Sequence, residues 1–373
     1  MRLIADENMP LIEELFSPFC VVKTFHGREI DAAKIEAADI LLIRSVTQVD
    51  DHLLNNSQVK FVGSATIGLD HIDTDLLDRM GVKWAYAPGC NARAVGEYVV
   101  TVLLSYLLEK QVAASECTLG IVGYGNTGTW VAKLATVLGF NIVVCDPYKE
   151  VSNYPNVKID TLLQTVDMVS FHTPLTTTGL FPTRHLGNME RLSQLKTGAL
   201  IINASRGSVL DFSALKEVLV KRSDLQTVLD VWEPEPMFPS EMLPYVRLAT
   251  PHIAGYSQEG KARGTEMLFF SCAEFFGWDI KAKSKTTLAS IPYPECVNTL
   301  EDLLRLLLHA CPLERDDARM RELSNDTPEV RAQGFDRLRK EYPPRHEFWR
   351  YAVTSQHQEM LETLRLLGFD VQG

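Results

Sequence analysis

The chain has 373 residues, 46% hydrophobic and 23% charged, with 37 basic against 48 acidic side chains and a formal net charge of −11. At about 150 residues per domain this is enough for two or three domains with ample core, and the acidic balance argues against a general binder of nucleic acid or of an anionic membrane. Seven cysteines (Cys20, Cys90, Cys117, Cys145, Cys272, Cys296 and Cys311) are scattered with no CxxC pair; this spacing excludes a zinc knuckle or a disulfide frame and fits reduced cytosolic thiols.

The start, "MRLIADENMP", carries acids at Asp6 and Glu7 and no long apolar core, so no secretory signal is expected. Residues 1–93 alternate apolar runs with helical stretches. "RLIAD", "FCVVKTF", "ADILLIRS" and "KFVGSA" predict buried strands; "MPLIEELFS" and "TDLLDRMG" predict helices, the second closed by Gly81. Such alternation implies a parallel sheet with helices on both faces. In "WAYAPGCNARAVGEYVV", Pro88 and Gly89 break a strand and a helix is expected from about Ala94, so a hinge falls here. The run "YVVTVLLSYLL" is too short to span a bilayer and reads as a buried helix.

A second series occupies 94–256. Strands are expected in "TLGIVGYG", "NIVVCDP", "MVSFHTP", "ALIINAS", "QTVLDVW" and "VRLATPH", with helices such as "TGTWVAKLATVLG" and "FSALKEVLV" between them. That is one doubly wound sheet. The helix "QEGKARGTEMLFFSCAEFFG" then returns to the first domain, which is completed by 257–284. "WDIKAKSKTTLASIPYPEC" reads as a linker. Residues 285–373 have their own periodicity in "LEDLLRLLLHAC", "FDRLRKEY" and "MLETLRLLGFDV", with a helix start at Asp326-Thr327-Pro328-Glu329. The expected fold is therefore α/β: two Rossmann-like doubly wound parallel-sheet domains and a small C-terminal α+β domain.

Gly123-x-Gly125-x-x-Gly128 follows an apolar strand and opens a helix. In that context the first glycine permits a tight turn, the second a close approach to a pyrophosphate, and the third close helix–strand packing. The helix N-terminus, with Asn126 and Thr127, offers N–H groups and a positive dipole to phosphate. Asp146 ends the next strand 18 residues after Gly128, where a carboxylate accepts from both ribose hydroxyls and repels a 2′-phosphate. NAD is therefore expected over NADP.

Three further polar groups stand at strand ends of the same sheet: Arg206 in "INASRG", the acids of "DVWEPEP", and His252 in "ATPHIAG". Ligands of such sheets bind outside the carboxyl ends of the strands. The set suits oxidation of an alcohol: the cofactor takes hydride, histidine takes the proton, a carboxylate orients the ring, and arginine forks onto a substrate carboxylate. Taken singly, Arg206 is as readily a surface salt bridge and Glu233 or Glu235 a solvated loop acid. No GxSxG elbow supports a serine hydrolase.

"GYGNTG", "HTPLT", "NASRG", "DVWEPEP" and "TPHIAGYS" resemble the D-isomer-specific 2-hydroxyacid dehydrogenases. The resemblance covers residues 1 to about 284 and implies a catalytic trio of Arg206, Glu235 and His252, the glutamate being the one next to the second proline rather than Glu233. It implies NAD contacts at Asp146, Thr173, the Ala204–Ser205–Arg206 turn, Asp230 and Gly255. "SATIGLDHID", "APGCNARAVGEYV" and "HIAGYSQEGKARGT", with the extra tail, narrow it to the branch of vitamin B6 synthesis that oxidises a phosphorylated four-carbon 2-hydroxy acid. Substrate contacts then fall on Ser45, Thr66 and Tyr256. The narrower resemblance also implies a cytoplasmic homodimer joined through the C-terminal domain, with Leu303, Leu304, Leu307 and Leu308 against the second subunit, and no metal. Arg44 and Arg93 are the candidate phosphate cations, either being also a plausible structural salt bridge. Three rivals stand beside this reading: a phosphoglycerate or other D-2-hydroxyacid dehydrogenase, an NAD-sensing binding protein, and a tail that senses a regulatory ligand.

Overall fold

The computed structural model describes residues 1–280 and 288–372. The chain divides into two compact units, Met1–Asn91 with Ser257–Thr287 and Ala92–Tyr256 with Leu288–Gly373.

In the first unit, β1 (Arg2–Asp6), β2 (Val21–Phe25), β3 (Ile40–Ile43), β4 (Phe61–Ser64) and β5 (Lys83–Tyr86) form a parallel sheet in the order β2-β1-β3-β4-β5. The run Ile40–Ile43 is buried throughout, because helices cover both faces of a parallel sheet. One of these covers is the helix Gln258–Phe276, started by the Ser257 cap and ended at Gly277 with φ 68°. Its Leu268, Phe269 and Cys272 join Leu3, Phe16, Leu42 and Phe61 in one core. The strand order reverses between β1 and β3, the switch point of this topology. Asp6 ends β1 there, and Arg44 and Ser45 follow β3.

The second unit is built on a six-stranded parallel sheet. It contains β6 (Thr118–Val122), β7 (Asn141–Cys145), β8 (Met168–Phe171), β9 (Leu200–Asn203), β10 (Gln226–Leu229) and β11 (Leu248–Ala249), in the order β11-β10-β9-β8-β6-β7. Its switch point lies between β6 and β8. The helix Ala92–Lys110, two residues longer at its start than the sequence suggests, is buried nearly all round. Such a helix must be covered on every side, and here two separate cores share it.

The second of those cores includes the C-terminal region, where the structure bears on three expectations. First, the stretch read as a linker, 278–296, contains β12 (Ile291–Cys296); its residues 281–287 lie outside the described residues. β12 pairs with β13 (Tyr351–Thr354), which pairs with β14 (Asp370–Val371), giving a three-stranded parallel sheet. Second, 288–373 falls in the same compact unit as 92–256. Third, the leucines expected at a subunit boundary are covered by their own chain. Leu303 and Leu307 are fully buried with Val100, Leu104 and Leu134, and Leu304 and Leu308 are partly buried. Their helix, Leu300–Ala310, begins with a capping box between Thr299 and Asp302. The helix Pro328–Lys340 starts as the sequence indicates, with Thr327 as cap and Pro328 first. Among the described residues no helix is long and apolar enough to cross a membrane.

Candidate active site

At the switch point of the six-stranded sheet, Gly123 has φ 90°, a conformation that L side chains rarely adopt. A Cβ on Gly128 would stand 2.0 Å from the Gly123 carbonyl oxygen, so only glycine lets the helix Asn126–Val137 approach this closely. A Cβ on Gly125 would meet nothing within 4 Å, so the loop faces open space at that point. Asp146 turns its carboxylate back to the loop and accepts from the Tyr124 and Tyr148 amides at 2.9 and 3.0 Å. Thr173, after β8, has a buried hydroxyl without a partner among the described residues; its Cγ2 is 3.0 Å from where a Gly123 Cβ would be. His172 beside it is pushed down to about 3 by burial, a neutral ring bonded to Ser170 at 2.8 Å. A glycine turn open on one side, a helix N-terminus, a rim carboxylate and an orphaned hydroxyl fit a dinucleotide.

Three strands from β8, at the edge of the same sheet, the turn after β11 carries His252 at φ 57°, a left-handed conformation sparsely used by non-glycine residues. Asp230 holds it there. This carboxylate, 2% exposed, accepts from the Thr250 hydroxyl (2.7 Å) and the amides of Ile253 (2.7 Å) and Ala254 (3.0 Å), while its own carbonyl takes the His252 amide (2.7 Å). The buried Tyr98 hydroxyl, 2.9 Å from Thr250, extends the network. Burial pushes the Asp230 carboxyl up, against the pull of His252 and these donors.

The His252 ring is oriented by Glu235: Nδ1 and Oε2 are 2.8 Å apart, and the other carboxylate oxygen takes the Trp232 amide at 2.9 Å. Burial acts to raise Glu235, but the His252 charge and hydrogen bond, with the Arg339 charge and the Trp232 amide, hold it below the usual carboxylate range. Glu233, read from sequence as a solvated acid, instead pairs with His185 at 2.9 Å. Arg206 follows β9 on a turn tied by Asn203, whose side chain accepts from the Ser205 amide and hydroxyl and donates to the Arg206 carbonyl. Arg206 itself donates to the Ser205 carbonyl at 2.8 Å.

In the first unit, Thr66 closes its loop by donating to the Gly68 carbonyl at 2.8 Å, and Ser64 bridges Thr66 (2.7 Å) to the buried His71 (2.9 Å). Ser45 is exposed and Arg44 half-buried. Arg93 is engaged in an ion pair. It donates to the fully buried Glu97 at 2.8 Å and lies 5.2 Å over the Trp130 ring, inside the second unit.

Sequence reasoning missed the turn-anchoring work of Asp230, because its donors lie 20 to 24 residues further on. It also missed Gly207, where a Cβ would overlap the Trp232 carbonyl, and it missed every C-terminal side chain near this turn. Arg345, 3% exposed, donates to the Ala254 carbonyl (2.9 Å), to Ile253 (3.4 Å) and to Ala94 (2.7 Å). Tyr342 packs edge-on to Tyr256 at 5.9 Å. Among the described residues no cluster of three histidine, cysteine or acidic side chains is arranged to hold a metal ion.

Residues 106–254 match the D-isomer-specific 2-hydroxyacid dehydrogenase NAD-binding domain, and 285–368 match a domain of unknown function. An erythronate-4-phosphate dehydrogenase of Pseudomonas putida is 41% identical over 95% of this chain and 94% of its own. The chain belongs to the erythronate-4-phosphate dehydrogenase family. A member from Azotobacter vinelandii is 42% identical over 99% of both chains. The fold is also that of a 3-phosphoglycerate dehydrogenase of Entamoeba histolytica solved with NAD, at TM-score 0.66 and 23% identity over 74% of this chain and 96% of that one.

Proposed function

We propose that this chain oxidises 4-phospho-D-erythronate to (R)-3-hydroxy-2-oxo-4-phosphooxybutanoate with NAD, in the synthesis of pyridoxal 5′-phosphate. The observation that carries the reading is the Glu235–His252 pair, on a turn locked by Asp230, at the carboxyl edge of the sheet that also carries the glycine loop. NAD, when bound, supplies the hydride acceptor for C2 of the substrate.

Glu235 engages Nδ1 of His252 and leaves Nε2 as the nitrogen that takes the hydroxyl proton. The anion beside the ring stabilises the imidazolium formed as the C2–O bond becomes a carbonyl. Arg206 forks onto the substrate carboxylate and polarises the reacting oxygen. Gly123, Gly125, Asn126, Thr127 and Gly128 receive the pyrophosphate, and Asp146 the ribose. Thr173, Ala204, Ser205, Asp230 and Gly255 complete the cofactor contacts. Ser45, Thr66 and Tyr256 bind substrate, with Arg44 as the phosphate cation. In this reading 1–93 with 257–284 binds substrate, 94–256 binds NAD, and 285–373 joins two subunits. With Leu303 and Leu307 used internally, the subunit contact falls on apolar side chains still about half exposed, such as Leu300, Val330 and Leu366. Seven free cysteines, six of them buried, suit a cytoplasmic enzyme.

The test is kcat/KM on 4-phospho-D-erythronate against D-erythronate. Each charge-assisted contact to the phosphate, about 1.5–3 kcal/mol, gives a preference of roughly 10- to 150-fold. Equal efficiency on the two acids sinks the substrate assignment. For the assembly, Val330→Lys with Leu366→Lys should lower the mass seen in light scattering; an unchanged dimer removes this face from the contact.

A further inference from the structure

The C-terminal region, 285–368, matches a domain to which no function is attached, yet it reaches the turn that carries His252. Three of its side chains do so. Arg345 donates to two consecutive carbonyls of the turn, Ile253 and Ala254, and to Ala94 at the start of the long helix. Tyr342 packs its ring against Tyr256 while its hydroxyl donates to the buried Asp316 at 2.6 Å. Arg339, from the last turn of the helix Pro328–Lys340, places its guanidinium carbon 5.7 Å from the Tyr256 ring centre and 5.8 Å from that of Phe335.

We propose that Arg339 is a positioning residue of the dehydrogenase reaction, supplied by the C-terminal domain of the same chain: its guanidinium lies over the ring of Tyr256, four residues beyond His252, and so sets a permanent positive charge beside the Glu235–His252 pair. The proposal rests on the reading of Glu235 and His252 given above. A carboxylate largely withdrawn from water needs compensating charge to stay an anion, and His252 is neutral when it acts as base. At that moment the guanidinium over Tyr256, Arg339, still acts on Glu235. Burial opposes the charge on Arg339, but Tyr256, Glu235 and Asp336 outweigh it, so it stays protonated. Asp230 and Arg345 also face the turn that carries His252, the first through the amides of Ile253 and Ala254 and the second through their carbonyls, and Arg339 is itself faced by Asp336.

The charge signs give opposite consequences for two neutralising changes. Removing the Glu235 anion makes imidazolium less favourable, so the acidic limb of kcat/KM moves to lower pH. Removing the Arg339 cation makes protonation of both Glu235 and His252 more favourable, so the limb moves to higher pH. Because the two groups titrate as a pair, the limb reports their joint behaviour.

The experiment measures kcat/KM against pH for full-length Glu235→Gln, Arg339→Met and Arg339→Lys, with His252 followed by NMR titration in the same proteins without substrate. For Arg339→Met we expect an upward shift of roughly half to one pH unit, the size of a nearby but unpaired charge. Arg339→Lys should restore most of it, and Glu235→Gln should shift the limb down. Should the methionine variant fail to fold, Arg339→Gln serves in its place. If Glu235→Gln moves the limb but the Arg339 variants leave both the limb and the His252 titration in place, Arg339 is structural and the proposal is overturned. If Glu235→Gln itself moves nothing, the fault lies in the reading of the Glu235–His252 pair.

Discussion

The turn after β4 and the turn after β11 both follow a short parallel strand, and each offers groups to the proposed chemistry, yet different forces hold them. After β4 a relay of side chains, His71, Ser64 and Thr66, closes the loop on the Gly68 carbonyl through bonds of 2.7–2.9 Å. After β11 a buried carboxylate gathers one hydroxyl and the amides of Ile253 and Ala254, and a buried guanidinium donates to the carbonyls of the same two residues. Hydroxyls rotate and exchange partners, and each such bond contributes only about 1 kcal/mol net. A buried anion with three donors has no cheap alternative arrangement, because loss of one partner strands the others. The first turn is built to adapt and the second to hold still, including a histidine at φ 57°.

The comparison breaks most visibly at His252. His252→Gln should lower kcat by roughly 10²–10⁴, the usual worth of a general acid–base group, with the thermal unfolding midpoint nearly unchanged; a variant that keeps most of its turnover would return His252 to a purely structural role. Asp230→Ala should act on stability. It leaves two amides unsatisfied and the Thr250 hydroxyl with Tyr98 alone, so the urea midpoint should fall by the equivalent of on the order of 3 kcal/mol; a shift below about 1 kcal/mol would mean that the turn does not depend on that carboxylate.

Asp146, at the loop after β7, lies between the two extremes, since it takes two amides but stands at the rim. Asp146→Ala should narrow the preference for NAD over NADP by roughly tenfold, about 1.4 kcal/mol, as measured by the ratio of kcat/KM for the two cofactors. The smallest effect is expected at Thr66. Thr66→Val removes hydrogen bonds at a partly exposed position where water can take over, so stability should fall by only about 1 kcal/mol. A loss as large as that of Asp230→Ala would erase the distinction between the two turns.

Much of this was legible in the sequence where the signal is local. β1 matches "RLIAD" residue for residue, and the glycine spacing is met by a tight turn and a close helix contact. The choice of Glu235 over Glu233 came from the family resemblance rather than from spacing; Glu235 lies 2.8 Å from His252, and Glu233 pairs with His185. Non-local partners were invisible. Nothing in the residues around Asp230 announces donors twenty positions later, and nothing near Arg345 announces carbonyls at 253 and 254. The leucines of Leu300–Ala310 show a different limit. Amphipathic spacing says that a face is covered, not which chain covers it, and the cover proved to be the chain's own helices. β12 was taken for a linker because its two prolines mask a strand at the edge of a sheet.

The bond from Arg345 to the Ala254 carbonyl spans 91 positions of sequence. During synthesis at about 5–20 residues per second, roughly 5–20 s separate the two residues. For that interval a nascent chain owns its glycine loop, its histidine and its glutamate, but not the guanidinium that clasps the turn between them. The order of translation thus acts as a timer, and the turn that bears His252 becomes rigid only after most of the chain has been made.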